Sequence, residues 1–143
     1  MKQYSSNNGF TLIELIMVIL LVGILSAIVI PKISLDSFKR TGGFQQGIAM
    51  IRFGQKTAIA SGCDVVVSLN TTACSLTFSG CTGANIPNPA TGNTNFCTSS
   101  NPGVSPAVSF TFDKIGAPTA QQTINFGGGQ VVTVEANTGF THE

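Results

Sequence analysis

An uncharged apolar run near the start of the chain limits what this protein can fold into. Residues 15–30 carry no charge, and the 21 residues from position 10 to 30 include 17 apolar ones, with Glu14 as their only charge. Twenty-one helical residues reach about 30 Å, the thickness of the hydrocarbon core of a bilayer. The run therefore predicts a helix that can span a membrane.

The composition narrows the function classes. Only 9% of the residues are charged, against roughly 25% in soluble domains. The formal net charge is +1, which supplies no strong field for attracting nucleic acid or anionic lipid. An ordinary cytosolic enzyme is therefore disfavoured, and the 143 residues favour one small domain beside the apolar helix.

Glu14 is the unusual residue of the apolar run. A carboxylate inside a spanning helix costs about 2.5–3.5 kcal/mol and normally has a specific partner, unless it reaches headgroup water at the interface. A cleaved secretory signal does not explain the run, because such signals are shorter and end in a small-x-small site. A plain membrane anchor and an assembly helix that is first stored in the membrane remain.

The residues around Glu14 favour the assembly helix. The sequence GFTLIE begins at Gly9, and Pro31 stands at the end of the apolar run. This pattern resembles the class III signal of type IV pilins and type II secretion pseudopilins. The resemblance implies that a prepilin peptidase cuts after Gly9 and N-methylates Phe10, which makes Glu14 the fifth mature residue and Pro31 the twenty-second.

The same resemblance implies a division of the chain. Residues 1–9 are a leader that is removed, and residues 10–31 are the half of a long helix that crosses the inner membrane before it enters the filament core. Gly23 and Pro31 are the positions where this half is expected to kink, because proline removes a helical hydrogen bond. Other major and minor pilins are the expected partners, beside the peptidase.

The single carboxylate of this segment is then the candidate for assembly chemistry. Cleavage leaves a cationic amine on Phe10, and the Glu14 carboxylate of a neighbouring subunit can pair with it where the dielectric is low. We expect this salt bridge to set the axial register of the filament.

A second, amphipathic helix half is predicted over residues 32–62. It is expected to end near Ser61 with Gly62 as its cap, and Gly42-Gly43 are expected to be a weak point with a bend or a short break. The resemblance implies that this half packs on a sheet. The apolar side chains at helical spacing, which form one face of the helix, are Ile33, Phe38, Phe44, Ile48, Ile51 and Ala58.

Residues 63–143 alternate with period two and predict a small antiparallel β domain, which makes the fold class α+β with two short sheets. Residues 70–72 and the triplet 127–129 are predicted hairpin turns, and residues 79–106 a long surface excursion. The predicted strands cover residues 64–69, 73–78, 108–112, 123–126 and 130–136.

Four cysteines are expected to form two disulfides on the oxidising, periplasmic side of the membrane, since their spacing is a poor zinc pattern. The hairpin at residues 70–72 favours Cys63 with Cys81 and Cys74 with Cys97. The pairing of neighbours along the chain, in which Cys63 joins Cys74, stays open.

The sequence does not predict an enzyme, a metal site or a cofactor. A hydrolase needs a nucleophile, a base and an orienting group, and the one histidine, His142, is the penultimate residue, where disorder is expected.

Two segments of the globular part, FGQKTAIASG at residues 53–62 and EANTGFTHE at residues 135–143, resemble the GspH/FimT family of minor pseudopilins, and within it the minor pilins of MSHA-type pili. The resemblance implies a low-abundance subunit that primes or caps the filament at its tip. The alternative is a tip-located binding module, an adhesin or a DNA-uptake receptor. DNA-binding relatives carry an arginine in the C-terminal loop, and its absence here argues against nucleic acid.

Overall fold

The computed structural model describes residues 9–29, 35–81, 84–97 and 103–143. The chain divides into two compact units, Met1–Leu35 and Asp36–Glu143. Helices come first and antiparallel sheets follow, so the predicted α+β class is confirmed.

The first helix, α1 (Leu12–Val29), is apolar on all sides. Its large apolar side chains from Leu12 to Leu25 are between 39% and 75% exposed. Across the described parts of the chain, no helix combines the length and apolar character that a bilayer crossing requires. The span predicted over residues 10–31 also includes Ile30 and Pro31, which lie outside the described residues.

The second helix, α2 (Leu35–Ser61), ends where the sequence predicts. Gly62 adopts a φ of +66° and donates its N–H to the carbonyl of Ala58 at 3.0 Å, which satisfies one of the last free carbonyls of the helix. The break predicted at Gly42-Gly43 is wrong, because α2 is continuous through both glycines. Phe44, directly after them, is 3% exposed, and its packing holds the chain helical at this point.

One face of α2 is buried, as the helical spacing predicts. It carries Phe44, Ile48, Ile51 and Ala58, each at most 3% exposed. The prediction for Phe38 is wrong, because this side chain is 79% exposed. Six residues separate Phe38 from Phe44, which is a rotation of about 240° around the helix axis. Ile33 lies outside the described residues.

Seven strands are described in two antiparallel sheets. The first sheet has the order β3-β2-β1-β4 and the second the order β5-β6-β7. The five predicted strands are found with end shifts of two residues or fewer, and β3 and β7 are additional two-residue strands. The bounds are β1 Asp64–Leu69, β2 Cys74–Ser79, β3 Asn85–Ile86, β4 Val108–Phe112, β5 Gln122–Phe126, β6 Gln130–Val134 and β7 Thr141–His142.

Both predicted turns close hairpins. Asn70 accepts backbone N–H groups of Thr72 and Ala73 on its Oδ1 between β1 and β2, the local bonding that makes asparagine a turn residue. The glycine triplet joins β5 to β6, where Gly128 and Gly129 have φ values of +89° and +82°. Only glycine adopts such backbone angles without cost.

The core lies between α2 and both sheets, and two glycines of α2 allow the close approach. A Cβ atom on Gly54 would lie 3.0 Å from Cδ2 of Leu76 in the first sheet. A Cβ atom on Gly47 would lie 2.5 Å from Cε1 of Phe126 in the second sheet. The rings of Phe44 and Phe126 also meet edge to face at 5.2 Å, so α2 is the element that joins the two sheets.

Candidate functional site: the N-terminal processing and assembly segment

The start of α1 is fixed by a reciprocal set of hydrogen bonds between Thr11 and Glu14. The Thr11 backbone N–H donates to Glu14 Oε2 at 3.0 Å, and the Thr11 hydroxyl donates to the same oxygen at 2.9 Å. The Glu14 N–H in turn lies 3.3 Å from Thr11 Oγ1. This is a capping box, in which the N-cap residue and the third helical residue satisfy each other's free N–H groups.

The capping box leaves Gly9 and Phe10 outside the helix. Phe10 is 90% exposed, and a Cβ atom at Gly9 would meet nothing within 4 Å. The peptide bond between them therefore lies in exposed, non-helical backbone, two residues before the first helical residue. Of the leader, residues 1–8 lie outside the described residues.

Of the two predicted kink positions, the structure describes only Gly23. Gly23 lies inside α1, which is helical on both sides of it, and the space around its Cα is open. Pro31 lies outside the described residues. A kink at either position stays a prediction.

The cysteines are joined as the hairpin favours, Cys63 to Cys81 and Cys74 to Cys97, with Cα separations of 6.0 Å and 5.2 Å. Cys63 follows the cap of α2 and Cys81 follows β2, so the first bond ties the end of the helix to the end of that strand. The second bond ties the start of β2 to the loop after β3. Within the described ranges, no group of three or more His, Cys, Asp or Glu could hold a metal ion.

Two polar side chains of α2 donate hydrogen bonds to backbone carbonyls in the C-terminal part of the chain. Gln55 donates from Nε2 to the carbonyls of Gly116 at 3.0 Å and Thr138 at 2.9 Å. Arg52 donates from its guanidinium to the carbonyl of Thr141 at 3.1 Å. These contacts join residues that are 61 to 89 positions apart in the chain. No local pattern in the sequence predicts them.

His142 lies in β7, opposite Thr133 of β6, so the expected disorder at this residue is wrong. Its Nε2 lies 2.9 Å from Glu135 Oε1, and its ring stacks on Phe140 at 5.6 Å. The hydrogen bond to the Glu135 carboxylate is the main cause that raises the pKa of His142 above 6.5. Both side chains of the pair are 41% exposed.

Comparison with known proteins finds a family match within the N-terminal unit. Residues 4–30 match the family model of the prokaryotic N-terminal methylation motif. The motif indicates a type IV pilin-like protein. It implies processing by a prepilin peptidase and assembly with other pilins, and the motif family is structural rather than enzymatic. No curated protein and no solved structure is significantly similar to the chain.

Proposed function

We propose that this pilin-like chain is a minor pilin or pseudopilin, a structural subunit that primes or caps a type IV pilus-like filament in pilus biogenesis or type II secretion. The prepilin motif at residues 4–30 carries the proposal. It is supported by the exposed Gly9–Phe10 bond, which the capping box keeps outside α1. A peptidase needs such an extended, accessible segment, because a helical bond is shielded by the turns on both sides.

The assembly step follows from the chemistry of the first helical turn. Cleavage leaves a cationic amine on Phe10, four residues before the Glu14 carboxylate. In the free subunit Glu14 Oε2 accepts two hydrogen bonds from Thr11. In the filament core, the apolar faces of neighbouring α1 helices exclude water, and the amine of one subunit pairs with the carboxylate of another. The pair then sets the register along the filament.

The minor role, rather than that of a bulk subunit, is supported by the globular unit. The two segments that resemble the GspH/FimT and MSHA-type minor pilins are residues 53–62 and 135–143. They are brought together by Gln55, which donates to the carbonyl of Thr138 at 2.9 Å. The two segments that carry the resemblance are therefore in contact, at the end of α2 and in the loop between β6 and β7.

Processing is tested by mass spectrometry of the mature chain from cells that contain a prepilin peptidase. We expect an N-methylated Phe10 at the N-terminus. Gly9→Val should leave the precursor uncut, because a branched side chain then stands beside the scissile bond. Gly23→Val is the matched control, since its surroundings are open, and it should be cut normally. An intact Met1 in the wild-type chain would contradict the proposal and favour a plain anchor.

Assembly is tested with Glu14→Gln in a filament pull-down. A glutamine at this position still completes a capping box, so the variant removes the charge while keeping the start of α1. We expect incorporation to fall at least about tenfold, since each 1.4 kcal/mol of lost pairing is a factor of ten. Glu143→Gln removes an exposed carboxylate elsewhere and should be incorporated like wild type.

Before assembly, we propose, the chain sits in the inner membrane with residues 63–143 in the periplasm. Protease added to spheroplasts should degrade the globular unit of the precursor and leave residues 10–31 protected. Protection of the complete chain until lysis would contradict this location.

A further inference from the structure

The two disulfides differ sharply in their access to solvent. Cys74 is fully buried and Cys97 is 7% exposed. In the other bond, Cys81 is exposed and Cys63 is half-buried. Thiol–disulfide exchange requires a thiolate to approach a sulfur along the S–S axis, so access decides which bond reacts. The buried bond needs a local opening of the fold before it can react.

The accessible bond also lies in a polar cleft of about 250 Å³. Both of its cysteines line the cleft, together with the turn glycines Gly62 and Gly80 and two charged residues, Asp64 and Lys114. The cleft is therefore large enough for a small thiol, and a lysine lines it together with both cysteines.

We infer that Cys63–Cys81 is a site of thiol–disulfide exchange with an exposed dithiol, either a small molecule or the vicinal dithiol of an oxidoreductase. Cys74–Cys97 is the permanent bond of the domain. This assignment is independent of the filament role proposed above, because it rests on the exposure of the two bonds and on the cleft.

The exchange proceeds in two balanced steps. A thiolate of the dithiol attacks Sγ of Cys81, the more exposed of the two residues, and the S–S electron pair leaves on Sγ of Cys63 as a thiolate. The second thiol of the reagent then attacks the mixed disulfide and releases Cys81 as a thiolate. The dithiol becomes a cyclic disulfide, and the two protons from its thiols end on Cys63 and Cys81.

Lys114 assists the first step. Cys63 stands just beyond the end of α2, where the carbonyl dipoles disfavour a negative charge, and Asp64 adds a second unfavourable charge. The Lys114 ammonium in the same cleft offsets both and attracts an anionic attacking thiolate.

Opening this bond leaves the sheet intact. The paired residues of β1 and β2 run from Asp64 opposite Ser79 to Leu69 opposite Cys74, and the disulfide lies just outside the Asp64 end. Exchange therefore switches the tie between the end of α2 and the end of β2, while the ladder and the buried bond stay in place.

The test uses the full chain in detergent micelles with dithiothreitol under native conditions, followed by alkylation and peptide mass spectrometry. We expect Cys63 and Cys81 to be alkylated at least about tenfold faster than Cys74 and Cys97, since each 1.4 kcal/mol of opening free energy is a factor of ten in rate. Lys114→Gln should slow the reaction roughly twofold at low salt and not at high salt. Lys56→Gln, an exposed lysine of α2 outside the cleft, is the matched control and should leave the rate unchanged.

Two further measurements separate the exchange site from a general loss of structure. A neutral phosphine should reduce Cys63–Cys81 first in wild type and in Lys114→Gln. The substitution should slow this reaction less than it slows dithiothreitol, because the phosphine carries no charge to attract and Lys114 then acts only on the leaving thiolate. The double variant Cys63→Ser, Cys81→Ser should keep the far-UV circular dichroism of wild type and show no native alkylation. Equal or faster alkylation of Cys74 and Cys97 overturns the inference, as does alkylation of Cys63 and Cys81 only after unfolding.

Discussion

The two helices of this chain differ in the exposure of their apolar side chains. In α1 the apolar side chains point in every direction, and those from Leu12 to Leu25 are exposed. In α2 a single face is buried, and it combines large side chains with Gly47 and Gly54, which admit two sheets at close range. The apolar side chains of α2 therefore contribute to the core of the globular unit, whereas the exposed apolar side chains of α1 do not.

The largest expected effect comes from matched isoleucine truncations. Ile51 of α2 is fully buried and Ile24 of α1 is 62% exposed. Ile51→Ala should destabilise the globular unit by about 3 kcal/mol, since buried Ile→Ala changes cost about 2–5 kcal/mol. Ile24→Ala should change its unfolding in denaturant by less than about 0.5 kcal/mol. Similar losses for both variants would contradict the difference between the helices.

Glycine substitutions sharpen the same comparison. Gly47→Val places methyl groups against the Phe126 ring and should cost about 2 kcal/mol, the typical penalty of overpacking a core. Gly23→Val, with open space around it, should leave the unfolding midpoint of the globular unit unchanged. If Gly47→Val raises the midpoint instead, Phe126 can move aside and the close approach of α2 is not a constraint.

A smaller effect is expected when the capping box of α1 is removed. Thr11→Val keeps the size of the side chain but removes the hydroxyl that Glu14 uses, and loss of an N-cap costs about 1 kcal/mol. Amide hydrogen exchange in micelles should therefore speed up roughly fivefold in the first turn of α1. Ser26→Ala removes a hydroxyl that donates to the carbonyl of Val22, far from the first turn, and it should leave that turn unchanged.

The smallest effect concerns pH and is confined to the globular unit. The folded pKa of His142 is raised by Glu135, so the pair stabilises β7 fully below about pH 6.5 and this contribution is lost as the pH rises through the folded pKa. The other charged groups here are Glu143 and Arg52, which bonds to Thr141. The protection factors of the β7 amides, which are corrected for the base catalysis of exchange, should fall between about pH 6 and 8, and His142→Gln should abolish that fall.

Local patterns predicted most of the fold. The alternation of residues 64–69 located β1, and the glycine after Ser61 located the end of α2, because both signals lie within a few residues of the feature. The two-residue strands β3 and β7 carry no readable period. The break predicted at Gly42-Gly43 is wrong, since the tertiary packing of Phe44 outweighs the low helix propensity of glycine.

In the candidate site, too, local features are predictable from the sequence and long-range contacts are not. Gly9, Phe10 and Glu14 are candidates through the resemblance of their motif to the class III signal, and their roles stay predictions. The capping box is readable from the sequence, because Thr11 and Glu14 form the T-x-x-E pattern. Gln55 could not be recognised, since its partners Gly116 and Thr138 are 61 and 83 residues away. Nor could the cleft beside Cys63–Cys81, because Lys114 joins it from a distant loop.

The bond from Arg52 to the carbonyl of Thr141 has a consequence for biosynthesis. A ribosome makes this chain from the N-terminus, and the arginine waits for a partner 89 residues later. Arg52 is therefore in place on α2 well before residue 141 is made, and the packing of α2 on β7 is completed only after synthesis has passed that residue.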